Sequence, residues 1–317
     1  MPTIQPTNAL SVEVVGYYKR DRESQIAIIK PNQFPEIKQS VMNEKFLRNH
    51  RILLEKNFTD EEVEHYMESL FNLLRTNRNL LDDVKFVTFR QIIANVASSN
   101  EDLVIQVVPY NERFFICWFE SFPPCLEIPL AASKAFWREV TENSSKFQFN
   151  PFHKGVFKSM VELSDGSKEK VLYSAELDNY DARKHRFVEV KSTIFDRAEW
   201  LKVRGPFAYW QSRLSSVDKI VIGKTKVTHQ NTKPFIVIEK ISVSSTADLP
   251  LWIDQLSSTR TVEDGEQRCK QFLSAVQHFG DSAKVLRRTG GIWSVDECKM
   301  VSQDFIDVVL NYENNSG

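Results

Sequence analysis

Two periods of apolar residues divide the chain. In "FTDEEVEHYMESLFNLLRTN", residues 58–77, Val63, Met67, Leu70, Leu73 and Leu74 recur three and four apart. That spacing lines one face of a helix. Thr59 or Asp60 can cap it, and acids fill its first turn. "SVMNEKFLRNHRILLEKN", residues 40–57, has the same spacing and also predicts a helix. From Phe86 the period falls to two. "KFVTFRQII", "DLVIQVVPY" and "RFFICWFESF" predict strands, with "PYNER" as the turn between the last two. A helix follows in "IPLAASKAFWREVTENSS". A hairpin turning at Asp165-Gly166 comes next, then the strand "RFVEVKS". "RAEWLKVRGPFAYWQSRLSS" predicts a helix interrupted near Gly205-Pro206. Two further strands, "DKIVIGKTK" and "KPFIVIEKISV", precede a late helix in "TVEDGEQRCKQFLSAVQHFG". Neither an interdomain linker nor an internal repeat appears. The expectation is one mixed α/β domain over residues 11–311, with loose ends at 1–10 and 312–317.

Composition narrows the class. The 317 residues are 42% hydrophobic and 26% charged, with 22 Phe and only 10 Gly, which fits a large packed interior and not a low-complexity chain. A net charge of −1 excludes a bulk-basic nucleic-acid binder but leaves room for a local basic groove. The four cysteines form no CxxC pair, so neither a zinc motif nor a disulfide framework is expected. The N-terminus lacks the basic-then-apolar order of a secretory signal, and no apolar run has the length of a membrane span. The expected setting is nuclear or cytosolic, not secreted.

The stretch "YSAELDNYDARKHRFVEVKS" then demands an explanation. Residues two apart on a strand share a face. Glu176 and Asp178 therefore point one way, as do Glu189 and Lys191, while Leu177, Val188 and Val190 supply the apolar alternates. A solvated sheet face is one account of these charges. The other is a metal site: crowded carboxylates repel unless a cation neutralises them, and carboxylate oxygen is what Mg2+ and Mn2+ prefer.

Asp178, ten intervening residues and then Glu189-Val190-Lys191 resemble the PD-(D/E)xK nuclease core. The chain more widely, from Val15 to Trp293, resembles the DXO family of decapping exoribonucleases. The pieces, in order, are "GYYKRD", "FVTFR", "RFFICWFES", "AFWRE", "AELD", "VEVK" and "YWQSRLSSVDKIVIG". This chain has Phe89 where the family usually has Trp, and Gln91 where it tends to have Gly. It also has Ala135 for the glycine of the glutamate motif, and Arg138 at a normally apolar position. Placing the glutamate motif on "GVFKS" instead would put Lys158 or Ser159 where the acid belongs, so "AFWRE" is preferred.

The resemblance implies a mixed, largely antiparallel sheet flanked by helices. It implies Glu139, Asp178 and Glu189 as metal ligands, with the Val190 carbonyl as a further oxygen. Glu176 and Lys191 become catalytic residues that also contact substrate. Arg90 becomes a bidentate phosphate ligand and Gln211 a substrate contact. The cofactor would be two Mg2+ or Mn2+ ions. The substrate would be an RNA 5′ end that is NAD-capped, incompletely m7G-capped or triphosphorylated. Exonuclease activity and a protein partner such as a 5′–3′ exoribonuclease are further expectations, with no membrane and no DNA specificity. The rival function is a weakened relative that binds RNA ends or a protein. Each residue also has a plain structural account: a surface acid for Glu139, a strand-end lysine for Lys191, a salt bridge for Arg90 and a helix-surface amide for Gln211. His153, His185 and His278 lack ligand spacing, and Trp137, Tyr209 and Trp210 are read as core before base-stacking platforms.

Overall fold

A computed structural model describes residues 10–20, 26–43, 50–54, 66–98, 102–118, 127–146, 153–230, 233–256 and 261–298. The N-terminal part holds β1 (Leu10–Arg20), β2 (Ile26–Ile28), α1 (Gln39–Met42), β3 (His50–Leu53) and α2 (Tyr66–Thr76). Next come β4 (Val84–Phe89), α3 (Arg90–Ser98), β5 (Leu103–Tyr110), β6 (Arg113–Trp118) and α4 (Glu127–Val140). The middle carries β7 (His153–Glu162), β8 (Lys168–Glu176), β9 (Asn179–Asp181), β10 (Arg186–Thr193), α5 (Arg197–Val203) and α6 (Gly205–Leu214). The remainder is β11 (Lys219–Gln230), β12 (Lys233–Ser245), α7 (Leu249–Leu256), α8 (Val262–Gln277), β13 (Lys284–Thr289) and β14 (Ile292–Glu297).

The expected mixed α/β fold is present, with its strands divided between two sheets. One is nine-stranded, in the order β14-β13-β5-β6-β4-β8-β7-β1-β2. The other is five-stranded, in the order β3-β12-β11-β10-β9. Pairing is antiparallel except at β4, which runs parallel to β6 and β8, and at β10–β11.

The turn chemistry works as read. Asn111 and Glu112 both take positive φ between β5 and β6, the conformation a two-residue hairpin needs. Gly166 does so between β7 and β8, where Asp165 accepts from the Ser167 amide. The predicted helix break falls at Arg204, which ends α5 and caps α6. Thr261 and Asp264 form a reciprocal cap at the start of α8.

One expectation is corrected. The helix over 40–57 is a short α1 followed by the strand β3, which adds to β12 at the sheet edge; 44–49 and 55–57 lie outside the described residues. Apolar spacing in "HRILL" suits either state, and pairing with β12 decides it. Likewise the cap at Thr59 or Asp60 and the stripe position Val63 lie outside the described residues, while Leu70, Leu73 and Leu74 are buried as expected. Among the described residues no helix is long and apolar enough to cross a membrane.

Two cores position the site. The larger joins α2, α3, α6 and α8 to the nine-stranded sheet and reaches Phe187, Ile220 and Ile222 of the smaller one. A second core packs Phe136 and Val140 of α4 against Val188, Val221, Ile236 and Ile238. The five-stranded sheet thus buries one face under α4, and β10 turns Glu189 and Lys191 away from that face. Gly223 permits the closeness, because a Cβ there would meet the Phe136 ring at 2.3 Å.

Candidate active site

The acidic stretch does not lie on one hairpin. Glu176 is the last residue of β8, in the nine-stranded sheet. Leu177, fully buried, and Asp178 carry the chain across to β9, which pairs with β10. Asp178 and Glu189 therefore face each other from the crossover and from the second sheet. The Asp178 carboxylate accepts from the Val190 amide at 2.7 Å, and its carbonyl accepts from the Trp137 indole of α4 at 3.4 Å. Crossover, β10 and α4 are tied together at this point.

Glu189 is 1% exposed, and both its oxygens are engaged. Lys191 donates to one at 2.6 Å and Arg90 to the other at 3.3 Å. Arg90 also donates to the Ser215 hydroxyl at 3.0 Å, which in turn donates to the Gln211 carbonyl at 2.6 Å. The sequence placed Arg90 within the strand "KFVTFRQII"; instead it opens α3, directly after β4. It is 5% exposed, so its charge is neutralised by Glu189 inside the protein, as the salt-bridge account expected. That pairing still leaves the guanidinium N–H groups not used on Glu189 and Ser215.

The electrostatics follow from this crowding. Burial and the neighbouring Glu189 charge raise the Asp178 carboxyl to about 7, against relief from Lys191, the Val190 amide and Arg90. Burial also pushes Glu189 up, but Lys191 and Arg90 outweigh it and hold it below the usual carboxylate range. Lys191 is pulled down by burial and raised overall by Glu189 and Asp178. The pair therefore shares its charge unequally, with Glu189 ionised and Asp178 poised near neutrality.

Beside this pair lies a narrow cleft lined by Phe89, Arg90, Trp118, Lys154, Ser174 and Glu176. Arg90 belongs to both, so it joins Glu176 to Glu189. One Glu176 oxygen and the Gln211 side-chain oxygen are buried without a hydrogen bond. In a low-dielectric site such orphaned acceptors call for a donor from a ligand or water. Glu139 is turned elsewhere: its carboxylate lies 3.6 Å from Lys38 and 3.4 Å from His50.

The donor chemistry suits a hard divalent cation in part. Asp178 and Glu189 offer anionic oxygen side by side, and a cation would relieve the repulsion that raises Asp178. Yet among the described residues no three Asp, Glu, His or Cys side chains are gathered closely enough to hold an ion. Glu139 would have to leave Lys38 and His50 to complete such a group.

Trp137, Tyr209 and Trp210 are buried, the core role that outweighed base stacking. His185 and His278 engage Tyr180 and the Ser274 carbonyl. Sequence reasoning missed Ser215 and Lys154. A buried lysine on an amphipathic strand reads like any solvated position, so alternation carried no signal for Lys154.

No family model matches the chain, and no curated protein sequence matches it. Solved structures do. Rai1 of Scheffersomyces stipitis, in complex with (3′-NADP)+ and calcium ion, superposes with a TM-score of 0.68 at 11% identity over 96% of this chain and 95% of its own. Rai1 of Candida albicans, in complex with pU5-Mn2+, gives 0.66 at 12% identity over 96% and 95%. Dxo1 of K. lactis, in complex with manganese, gives 0.64 at 10% identity over 92% and 91%.

Proposed function

Starting from a chain that has the fold of the Rai1 and Dxo1 proteins, we propose a divalent-metal-dependent hydrolase that cleaves phosphodiester or pyrophosphate linkages at RNA 5′ ends. The observation that carries this reading is the buried Asp178–Glu189 pair, flanked by Arg90 and Lys191. Acids and cations alternate there in the way a polyanionic substrate and its counter-ions would require. The metals and RNA or nucleotide ligands in the named structures support it further.

Asp178 and Glu189 would hold the metal, with the Val190 carbonyl and Glu139 completing the donor set once Glu139 leaves Lys38 and His50. A bound divalent ion lowers the pKa of water and neutralises charge at a leaving oxygen. The protein's own groups supply the rest. Lys191 presents a compact ammonium to the oxygens around phosphorus, where charge gathers in the transition state. Arg90 turns its remaining N–H groups to phosphate. The orphaned Glu176 oxygen accepts a hydrogen bond from the attacking water or from a substrate hydroxyl, and Gln211 accepts another. An NAD cap, an incomplete m7G cap or pyrophosphate would be the leaving fragment in this reading. Exonuclease activity, a protein partner and a nuclear or cytosolic location belong to the same reading.

The test is to present NAD-capped, unmethylated-cap and triphosphate RNA to purified protein with Mn2+ or Mg2+. Release of a 5′ fragment from at least one, abolished by Asp178→Asn with Glu189→Gln, is the expected result. Failure with all three in both metals would overturn it. The engagement of Glu139 by Lys38 and His50 favours a second reading, a non-catalytic relative that binds RNA ends. Binding without turnover in the same assay would select it.

A further inference from the structure

The five-stranded sheet has a second face. Val188, Val221, Ile236 and Ile238 point under α4. Glu189 and Lys191 share the other face with Ile220 and Ile222, their partners on β11. The larger core covers that face only as far as these two isoleucines. Beyond them β11 and β12 run on as a ribbon edged by β3. This continuation is basic. Lys224 lies across from Thr193, the next residue on the Lys191 side of β10. Lys240 lies across from Lys224, and Lys226, Val237 and Arg51 form one row over three strands. Lys226, Lys240 and Arg51 are exposed, and among the described residues none of the three enters an ion pair. Lys224 meets one acid, Glu239, at 3.5 Å.

Folding does not ask for this arrangement. Like charges directly opposite each other on neighbouring strands repel, and Lys224 and Lys240 are such a pair. A β-bulge sets them there. Glu239 is the extra residue, lying between the partners of Lys224 and Thr225. It returns Ile238 to the α4 side and leaves Lys240 on the open face, the re-aiming that bulges perform. Half-buried Phe235 and exposed Leu53 form the next row on the same face. From Lys191 through Lys224 and Lys226 to Arg51, strand geometry spaces the cations about 7–10 Å apart. Long, mobile side chains can match that spacing to successive phosphates of an extended strand.

Resting on the function proposed above, we propose that this face is a track for the body of the RNA, holding the single-stranded backbone downstream of the 5′ end received at Glu189 and Lys191. Lys224, Lys226, Lys240 and Arg51 neutralise phosphates, and Phe235 offers a ring to a base. Phosphate contacts carry no sequence information, so the track is indifferent to sequence. Its continuity with Lys191 favours the strand whose end fills the site over an acidic peptide arriving from elsewhere.

The experiment uses fluorescence anisotropy on the full chain with two oligouridylates that share a 5′-triphosphate, a trinucleotide and a 15-mer, in EDTA and again in Ca2+. Wild type should bind the 15-mer more tightly, and the advantage should shrink as salt rises. This series needs no variant to fold. Arg51→Gln with Lys226→Gln and Lys240→Gln should keep the trinucleotide affinity and lose most of the gain from length. Its slope of log Kd against log salt for the 15-mer should fall by about 2, three contacts at about 0.7 each. Between 50 and 200 mM salt wild type should then lose about twentyfold more affinity than the variant. Lys168→Gln with Lys184→Gln and Lys202→Gln removes as many exposed cations from other elements and should change neither value. Equal affinity of wild type for the two lengths overturns the track and leaves the RNA-end reading standing. An equal loss in both triple variants also overturns it, in favour of bulk charge. Polyglutamate binding that the first variant abolishes, with the gain from RNA length intact, assigns the face to an acidic protein instead. Binding of neither RNA by wild type in either buffer overturns the RNA-end reading itself.

Discussion

At the scale of single residues, the site is a set of charges whose positions fix their protonation. Asp178 has a folded pKa of about 7 against an ordinary 3.8. An acid raised in this way binds its proton more tightly when folded, so its contribution favours the native state below pH 4 and is lost as pH rises toward 7. Asp178→Asn removes this dependence. In metal-free buffer the variant should melt above wild type by a margin that grows between pH 4 and 7 and then levels off. A margin that stays constant across that range would contradict the assignment. Added Mn2+ should raise the melting temperature of wild type and not that of Asp178→Asn with Glu189→Gln. Arg90 invites a different change. Arg90→Met leaves Glu189 buried with Lys191 alone, and removing one member of a buried ion pair costs about 3 kcal/mol, to be read from urea unfolding. Arg90→Lys should cost less, since it keeps the charge and gives up only the fork.

Secondary-structure elements carry those residues, and here the fit of α4 to the five-stranded sheet decides the geometry. A methyl group at Gly223 would collide with the fully buried Phe136 ring. Gly223→Ala should therefore lose about 1–3 kcal/mol, the usual cost of overpacking. It should also reduce activity beyond that loss, because displacing α4 moves Trp137 off the Asp178 carbonyl. Activity at full native population, measured well below the melting temperature, checks this. The same scale shows what could be read in advance. The turns at Asn111-Glu112 and Asp165-Gly166 and the break before Gly205-Pro206 were legible because backbone conformation is set locally. The alternation in β10, Val188 and Val190 against Glu189 and Lys191, was legible because α4 buries one face. The strand β3 was not, since its state depends on β12, nearly two hundred positions away in the chain. Arg90 and Glu176 were legible as chemistry but not as geometry. A single buried leucine between Glu176 and Asp178 gives no sign that the chain changes sheets there, and nothing local marks Arg90 as the opening of a helix.

For the whole molecule, the larger core includes residues from both sheets. Unfolding should accordingly be one cooperative event. Far- and near-ultraviolet circular dichroism should give coincident urea transitions, and two separated midpoints would mean that the smaller sheet with α4 melts alone. The pairing of Glu189 with Arg90 supports the single transition, because it fastens β10 of one sheet to α3, which follows β4 of the other.

The two-residue passage through Leu177 and Asp178 has a mechanical side. It is one of the chain's crossings between the two sheets, and Glu176 and Glu189 stand on opposite sides of the seam. Any ligand that grips Glu176 or Arg90 together with Glu189 becomes a clasp over that seam. Occupancy should then register as slower amide hydrogen exchange along Asn179–Val190, including the Val190 N–H that Asp178 already holds. Exchange at β14, the far edge strand of the nine-stranded sheet, should stay as it was.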